Sequence, residues 1–249
     1  MAKDYLDRKF ASKQASVIKS EEQEAAENGK VTILPETTKN PITLIGERAG
    51  VCWGADIQSP EKNYKRGLDC IESGHGRVLE YVNVEMVLDG YSARVMREWY
   101  THIGGAPTRL QASTRYINYG EFEYIVPDSV KDIPLARATY GNAMYTIQKA
   151  VEELEKIGVP REDAANLLPL GMCTKVVDKR NLRNLVDMSR QRMCNRAYWE
   201  FREMFSDILT ELEDYSREWK EVIELTMHPK CKERGGCREK HGCGQAGDN

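Results

Sequence analysis

No stretch of this sequence is apolar for long enough to cross a bilayer as a helix, which takes about 20 consecutive residues. Charge of one sign is not in excess either. The 36 Lys and Arg face 39 Asp and Glu, a net charge of −3, so the chain lacks the basic field of nucleic-acid binders. The opening MAKDYLDRKF sets acids beside bases with no apolar segment, which predicts no signal peptide. Several catalytic fingerprints are missing. There is no GxGxxG after a strand and no GxxxxGK(S/T), which removes the usual dinucleotide and P-loop readings. There is no GxSxG elbow, and with only four histidines a hydrolase triad is unsupported. The seven cysteines are odd in number and scattered, with no CxxC, which points to a reducing, cytoplasmic setting.

What is present suits a globular protein. The 249 residues, 41% hydrophobic and 30% charged, can bury a real core. Residues 1–30 read as a charged helical extension closed by Asn28-Gly29. VTILP reads as a short strand. Ser59-Pro60-Glu61 starts a helix that Gly74 ends. Residues 78–87 alternate apolar and polar, as a half-buried strand does, and SARVMREWYTH places Val95, Trp99 and His102 at helical spacing. FEYIVP reads as a strand stopped by Pro127. A long amphipathic helix follows, with Ala136, Tyr140, Ala143, Ile147 and Val151 on one face. MCTKVV reads as a strand, then helices over about 179–193 and 196–225, and a Cys- and Gly-rich tail from His228. Few strands and long helices predict an α+β fold, a small mixed or antiparallel sheet with long packed helices. The expected organisation is an extension (1–30), one domain (31–227) and a tail (228–249).

Two stretches invite chemistry. Asn181, Leu185, Met188 and Arg192 share one helical stripe, and Arg196 joins it if the helix continues. Arg190, Arg192 and Arg196 crowd like charges beside Met193, Cys194, Ala197 and Trp199. Such guanidinium clusters suit an anion, phosphate above all; the alternative for a lone Arg is a surface ion pair. LQASTRY (110–116) offers Ser113, Thr114 and Arg115 as a cation, two hydroxyls and turn N–H groups, a phosphate cradle or else an exposed strand-edge loop. Gly104, Gly105 and Pro107 tighten the turn before it. Cys231, Cys237 and Cys243 lie near His228 and His241, but the spacing is not that of a zinc knuckle, so no metal site is assigned.

Together these stretches resemble the flavin-dependent thymidylate synthases, from about Val31 to the tail. The resemblance rests on Leu168-Pro169, Asn181-Leu182-Arg183, Arg192 and the run Cys194-Asn195-Arg196-Ala197-Tyr198-Trp199-Glu200-Phe201-Arg202. Gly74-His75 and Leu79-Glu80 match the family's GHxSxLEH, and Ser113, Arg115 and Tyr116 match the close of RHRxxSxNExSxRY. The resemblance implies an α+β enzyme, a homotetramer with composite active sites. It would methylate dUMP to dTMP with FAD, NADPH and methylenetetrahydrofolate, and bind neither nucleic acid nor membrane. Substrate contacts would come from Glu98, Gln111, Ser113, Arg115 and Arg192. Flavin contacts would come from Tyr81, Thr101, His102, Ile103, Asn181 and Arg183.

The signature also departs from the family. RHR reads Thr101-His102-Ile103, the Asn-Glu pair reads Leu110-Gln111, the preceding Gln is Glu98, the His of LEH is Tyr81, and the Arg before Leu-Pro is Ala165. Arg109 or Lys175 could stand in for lost arginines. These departures keep two other readings open: a related flavin- and folate-dependent pyrimidine modification such as hydroxymethylation, and a non-catalytic nucleotide-binding homologue.

Overall fold

The computed structural model describes residues 29–246, so the expected N-terminal helix lies outside the described residues. The described chain packs into two compact units. One holds residues 90–94 and 112–174; the other holds 29–89, 95–111 and 175–246, including the tail.

The larger unit carries most of a four-stranded sheet in the order β1-β2-β4-β3, with β1 Lys30–Ile33, β2 Asn83–Ser92, β3 Thr108–Gln111 and β4 Cys173–Asn181. β1 runs antiparallel to β2, pairing Lys30 with Asp89, and β3 runs antiparallel to β4, pairing Gln111 with Val176. The α+β expectation holds. Val84, Met86 and Leu88 of β2 are fully buried, on alternate residues as a pleated strand requires. On the other face Lys175 pairs with Asp89 and Lys179 with Glu85.

Helices α1 (Pro41–Cys52) and α2 (Pro60–Glu72) pack at glycines. A Cβ on Gly46 would lie 1.7 Å from the Asn63 carbonyl oxygen, and one on Gly67 would lie 2.0 Å from that of Ile42. Only glycine permits this approach of two backbones. The Ser59 hydroxyl caps α2 by accepting from Lys62 N–H at 3.3 Å, and Gly74 leaves it at φ +72°, both as expected. Helix α1 was not anticipated: its small and apolar residues show no clear amphipathic stripe.

The other helices longer than four residues among those described are α3 (Ala93–Trp99), α4 (Pro134–Lys156), α5 (Leu182–Arg192), α6 (Trp199–Tyr215) and α7 (Arg217–Thr226). Several boundaries differ from expectation. Residues 76–81 form a 3-10 helix, so the strand expected from Val78 starts at Asn83. Lys179–Asn181 belong to β4, and Asn181 caps α5 by accepting from Asn184 N–H at 2.9 Å. Residues 193–198 are not helical, which moves Arg196 off the stripe of Arg192. The helix expected over 196–225 breaks at Ser216, whose backbone is extended at φ −162°, ψ 155° and whose hydroxyl caps α7.

The smaller unit has its own core, in which Tyr119, Phe122, Tyr124, Val126, Met144 and Met172 are buried against α4. The strand expected at FEYIVP is a single bridge, Tyr124 to Met172. The buried face of α4 runs through Met144, Gln148 and Val151, while Ala143 is exposed. Gln148 earns its burial by donating to the Phe122 carbonyl at 2.8 Å.

Gly46→Ala forces α1 and α2 apart and destabilises the protein by about 1–3 kcal/mol, the usual cost of overpacking. Chemical denaturation measures it; an unchanged midpoint contradicts the close-packed glycine contact.

Candidate active site

The larger unit gathers Glu98, His102 and Arg192 around Phe201. Glu98 leaves the last turn of α3, His102 sits in the turn after it, and Arg192 ends α5. The guanidinium donates from Nη1 to the Glu98 carboxylate at 2.8 Å and from Nε to His102 Nε2 at 3.0 Å. It lies 4.4 Å over the Phe201 ring, which also meets the His102 ring edge-on at 5.9 Å. Phe201 is fully buried and the three polar side chains partly so, with 19% of the Arg192 side chain and 29% of the Glu98 side chain exposed. Burial, then the positive charges of Arg192 and Arg180, lower the His102 pKa from 6.5 to about 4. His102 is therefore neutral near pH 7, with Nε2 as an acceptor. The trio sums to zero charge.

That sum corrects the reading of Arg190, Arg192 and Arg196 as a phosphate-seeking cluster. Each arginine has its own carboxylate: Arg190 pairs with Glu233 and Asp187, Arg192 with Glu98, and Arg196 with Glu239. The glycine turn likewise approaches protein. A Cβ on Gly105, at φ +73°, would lie 2.3 Å from Asn181 Nδ2, so this backbone is seated on the α5 cap.

A buried ion pair supports the trio. Arg180 is 1% exposed and Asp178 fully buried, and the two make a bidentate contact at 2.6 and 2.7 Å. Asp178 also accepts from the Trp99 indole at 2.9 Å, and Arg180 donates to Asn184 at 2.6 Å. The Arg180 guanidinium stacks 3.8 Å over the Trp99 ring. Burial pulls its pKa below the ordinary arginine value, and the Asp178 carboxylate opposes that shift. Trp99 adjoins Glu98 in sequence, and Asn184 lies two turns before Arg192. One network thus fixes both elements that carry the trio.

The smaller unit holds Ser113 and Arg115. The Ser113 hydroxyl accepts from Arg115 N–H at 3.2 Å, and Arg115 pairs with Glu162 at 2.8 Å with its side chain 63% exposed. Gln111 is exposed at the end of β3 in the larger unit, as are Thr101 and Ile103 after α3. Arg109 stacks 4.4 Å from the Tyr100 ring, and Lys175 is held by Asp89. A cavity of about 330 Å³ in the larger unit is lined by His75, Gly76, Leu79, Arg183, Arg190 and His228. Tyr81, at the end of the 3-10 helix, is 54% exposed.

Comparison with known proteins matches residues 33–216 to the family described as thymidylate synthase complementing protein. The chain belongs to this family. A flavin-dependent thymidylate synthase of Geobacter sulfurreducens is 33% identical over 190 residues, covering 72% of this chain and 80% of that protein. One from Thermococcus onnurineus is 31% identical over 171 residues, covering 67% and 69%. Among solved structures, a UMP/dUMP methylase PolB from Streptomyces cacaoi, bound with 5-Br dUMP, aligns with a TM-score of 0.69. It covers 82% of this chain and 98% of its own at 16% identity, which speaks for the shared fold.

Within this thymidylate synthase complementing fold, sequence reasoning chose Glu98, His102 and Arg192, and the structure brings them together. It chose Arg183, which lines the cavity with His75 and pairs with Glu80. It missed Phe201 as the platform of Arg192, although Phe201 lies in the family-like run. It also missed Asp178 and Arg180. Their positions alternate with Val176 on the buried face of β4, and that was the available signal. Asn181 is 8% exposed, with its Oδ1 committed to the cap of α5. Among the described residues no helix is long and apolar enough to cross a membrane.

Folding keeps His102 neutral, so the unfolded chain binds more protons between pH 6.5 and about 4. The stabilisation is complete above pH 6.5 and is lost as the pH falls towards 4, and His102→Gln flattens that part of a melting-temperature profile. Arg180→Met leaves Asp178 buried and unpaired and destabilises by about 3–5 kcal/mol in denaturant titrations.

Proposed function

We propose that this protein methylates dUMP to dTMP as a flavin-dependent thymidylate synthase. It would use FAD, NADPH and methylenetetrahydrofolate and act as a homotetramer. The observation that carries this reading is Arg192 held by Glu98, neutral His102 and Phe201 in a chain of this family. An electroneutral donor–acceptor edge suits an uncharged base. Arg192 would donate to a uracil carbonyl, and Glu98 would accept from the ring N3–H. Glu98 in place of the family's Gln keeps the acceptor and drops the amide donors. Ser113 and Arg115 would take the phosphate. The Arg115–Glu162 pair is largely exposed, and such pairs are worth about 0–1 kcal/mol, so a phosphate dianion can displace the carboxylate.

The flavin fits the donor set of the cavity beside Arg183. His228 Nδ1 is buried there without a hydrogen-bond partner among the described residues, and Arg183, Arg190 and His75 face the same space. Arg183 and His75 would hold the cofactor's anionic part, with Tyr81, Thr101, Ile103 and Asn181 around it. A bound flavin supplies the electrons that turn a one-carbon unit into a methyl group. The protein's part is to orient the base and to exclude water. Self-association is supported by Ile133 and Leu135, which are 55% and 76% exposed at the start of α4.

The test is a product assay by mass spectrometry on protein with FAD, NADPH, methylenetetrahydrofolate and dUMP, after a flavin spectrum. Formation of dTMP is expected. A hydroxymethyl product supports the second chemistry, and bound nucleotide without turnover supports a non-catalytic role. Arg192→Ala lowers kcat/KM by roughly 10- to 150-fold, the worth of a charge-assisted bond. Arg115→Ala acts mainly on KM for dUMP. Undiminished turnover in Arg192→Ala overturns the assignment.

A further inference from the structure

The tail brings its thiols to the loop that follows Arg192. A cavity of about 280 Å³ is lined by Cys194 of that loop and by Cys231, Cys237 and Cys243 of the tail. Arg190, Lys230, Arg234 and Arg238 line it with one carboxylate, Glu239, and Arg190 is itself paired with Asp187 and Glu233. Cys194 and Cys243 come from segments that are held together: Gln245 donates to the Met193 carbonyl at 3.0 Å and Arg196 to the His241 carbonyl at 3.2 Å, so the residues flanking Cys243 meet those flanking Cys194. Hydrogen bonding by the backbone of Gln245, then by Asn195 and the Cys194 thiol, holds the Cys243 thiol below its ordinary pKa. Both cysteines are partly exposed, and the chain's cysteines are free thiols in this structure. Polar contacts among the described residues hold the tail here. Arg196 donates to Glu239 and to the His241 carbonyl, Gln245 donates to the Met193 carbonyl, and Arg190 pairs with Glu233. Among the described residues no group of three or more His, Cys, Asp or Glu could hold a metal ion, so the chemistry on offer is that of thiols gathered at one cavity.

We propose that Cys194 and Cys243 form a peroxide-responsive dithiol whose oxidation staples the tail to the loop after Arg192. The hydrogen bonds to its sulfur lower the Cys243 pKa and make it the attacking thiolate. It attacks one oxygen of hydrogen peroxide, the O–O bond breaks, and a sulfenic acid and one water result. The Cys194 sulfur then attacks the sulfenic sulfur, the S–O bond breaks, and a second water leaves. Two thiols lose two electrons and two protons, and one peroxide becomes two waters. Cys194 is the resolving thiol because it lines the same cavity and its flanking residues Met193 and Arg196 are hydrogen-bonded to Gln245 and His241 on either side of Cys243. This inference does not depend on the reaction assigned above.

The full chain, reduced and desalted, is treated with a small excess of hydrogen peroxide and read by intact mass and peptide mapping. The expected result is a loss of about 2 Da, the two thiol hydrogens, with Cys194 and Cys243 in one cross-linked peptide. Reductant reverses it. In Cys194→Ser, Cys243 stops at the sulfenic acid and is trapped by dimedone; in Cys243→Ser the mass loss disappears; Cys52→Ser behaves as wild type. Tail cleavage by trypsin slows in the oxidised protein. A cross-link that joins other cysteines overturns the proposal. So does a Cys243 that neither loses mass nor traps dimedone, or about one equivalent of zinc held by the thiols. The wild-type map needs no variant, so a misfolded mutant leaves the outcome readable.

Discussion

Asp178 and Arg180 bury opposite charges on β4, and the placement of the candidate site depends on that pair. Desolvating two ions is costly, and the cost is offset only when the remaining donors and acceptors find partners. Trp99 and Asn184 provide them, one from α3 and the other from α5. The demand for satisfaction thus sets the position of two helices against one strand. Arg180 over the Trp99 ring adds a preferred face to that geometry. Glu98 and Arg192 ride on the same two helices, and their 2.8 Å contact inherits its precision from the network beneath.

The electrostatics of the site follow from local pairing rather than from overall composition. Near Arg192 a carboxylate, a guanidinium and a neutral imidazole leave a polar, uncharged edge. At the Ser113 loop an exposed arginine is held by a carboxylate that water already weakens. In the proposed reading the first place would recognise the base, which needs fixed direction, and the second the phosphate, which needs available charge. The thiols beside Arg190 add redox chemistry to a segment that the nucleotide reading leaves unused.

Much of this was legible before the fold. The Ser59 cap, the alternation of β2, the strand at Met172–Val177 and the family-like run through Phe201 depend on neighbours in the chain, so their signals are local. The errors have separate causes. Lys179 and Arg180 read as helical because charged residues at a helix start are ordinary, yet Arg180 is buried on a strand by a partner two residues away. The helix over 196–225 looked continuous because its apolar spacing persists across Ser216, where the backbone turns extended. The arginine cluster looked like an anion site because Glu233 and Glu239 are distant in sequence.

The sequence by itself determined the α+β class, the strands β1, β2 and β4, most of the long helices, the family and the choice of Glu98, His102, Arg115, Arg183 and Arg192 as candidates. Spacing, capping residues and motif identity carry that information along the chain. Only the tertiary structure decided which carboxylate neutralises each arginine, that His102 is neutral, that Phe201 lies under Arg192, and that Cys194 and Cys243 line one cavity. Most of those outcomes depend on desolvation and on contacts between residues 43 to 94 positions apart, and even the short step from Arg192 to Phe201 crosses a non-helical break; sequence spacing does not encode distance in space.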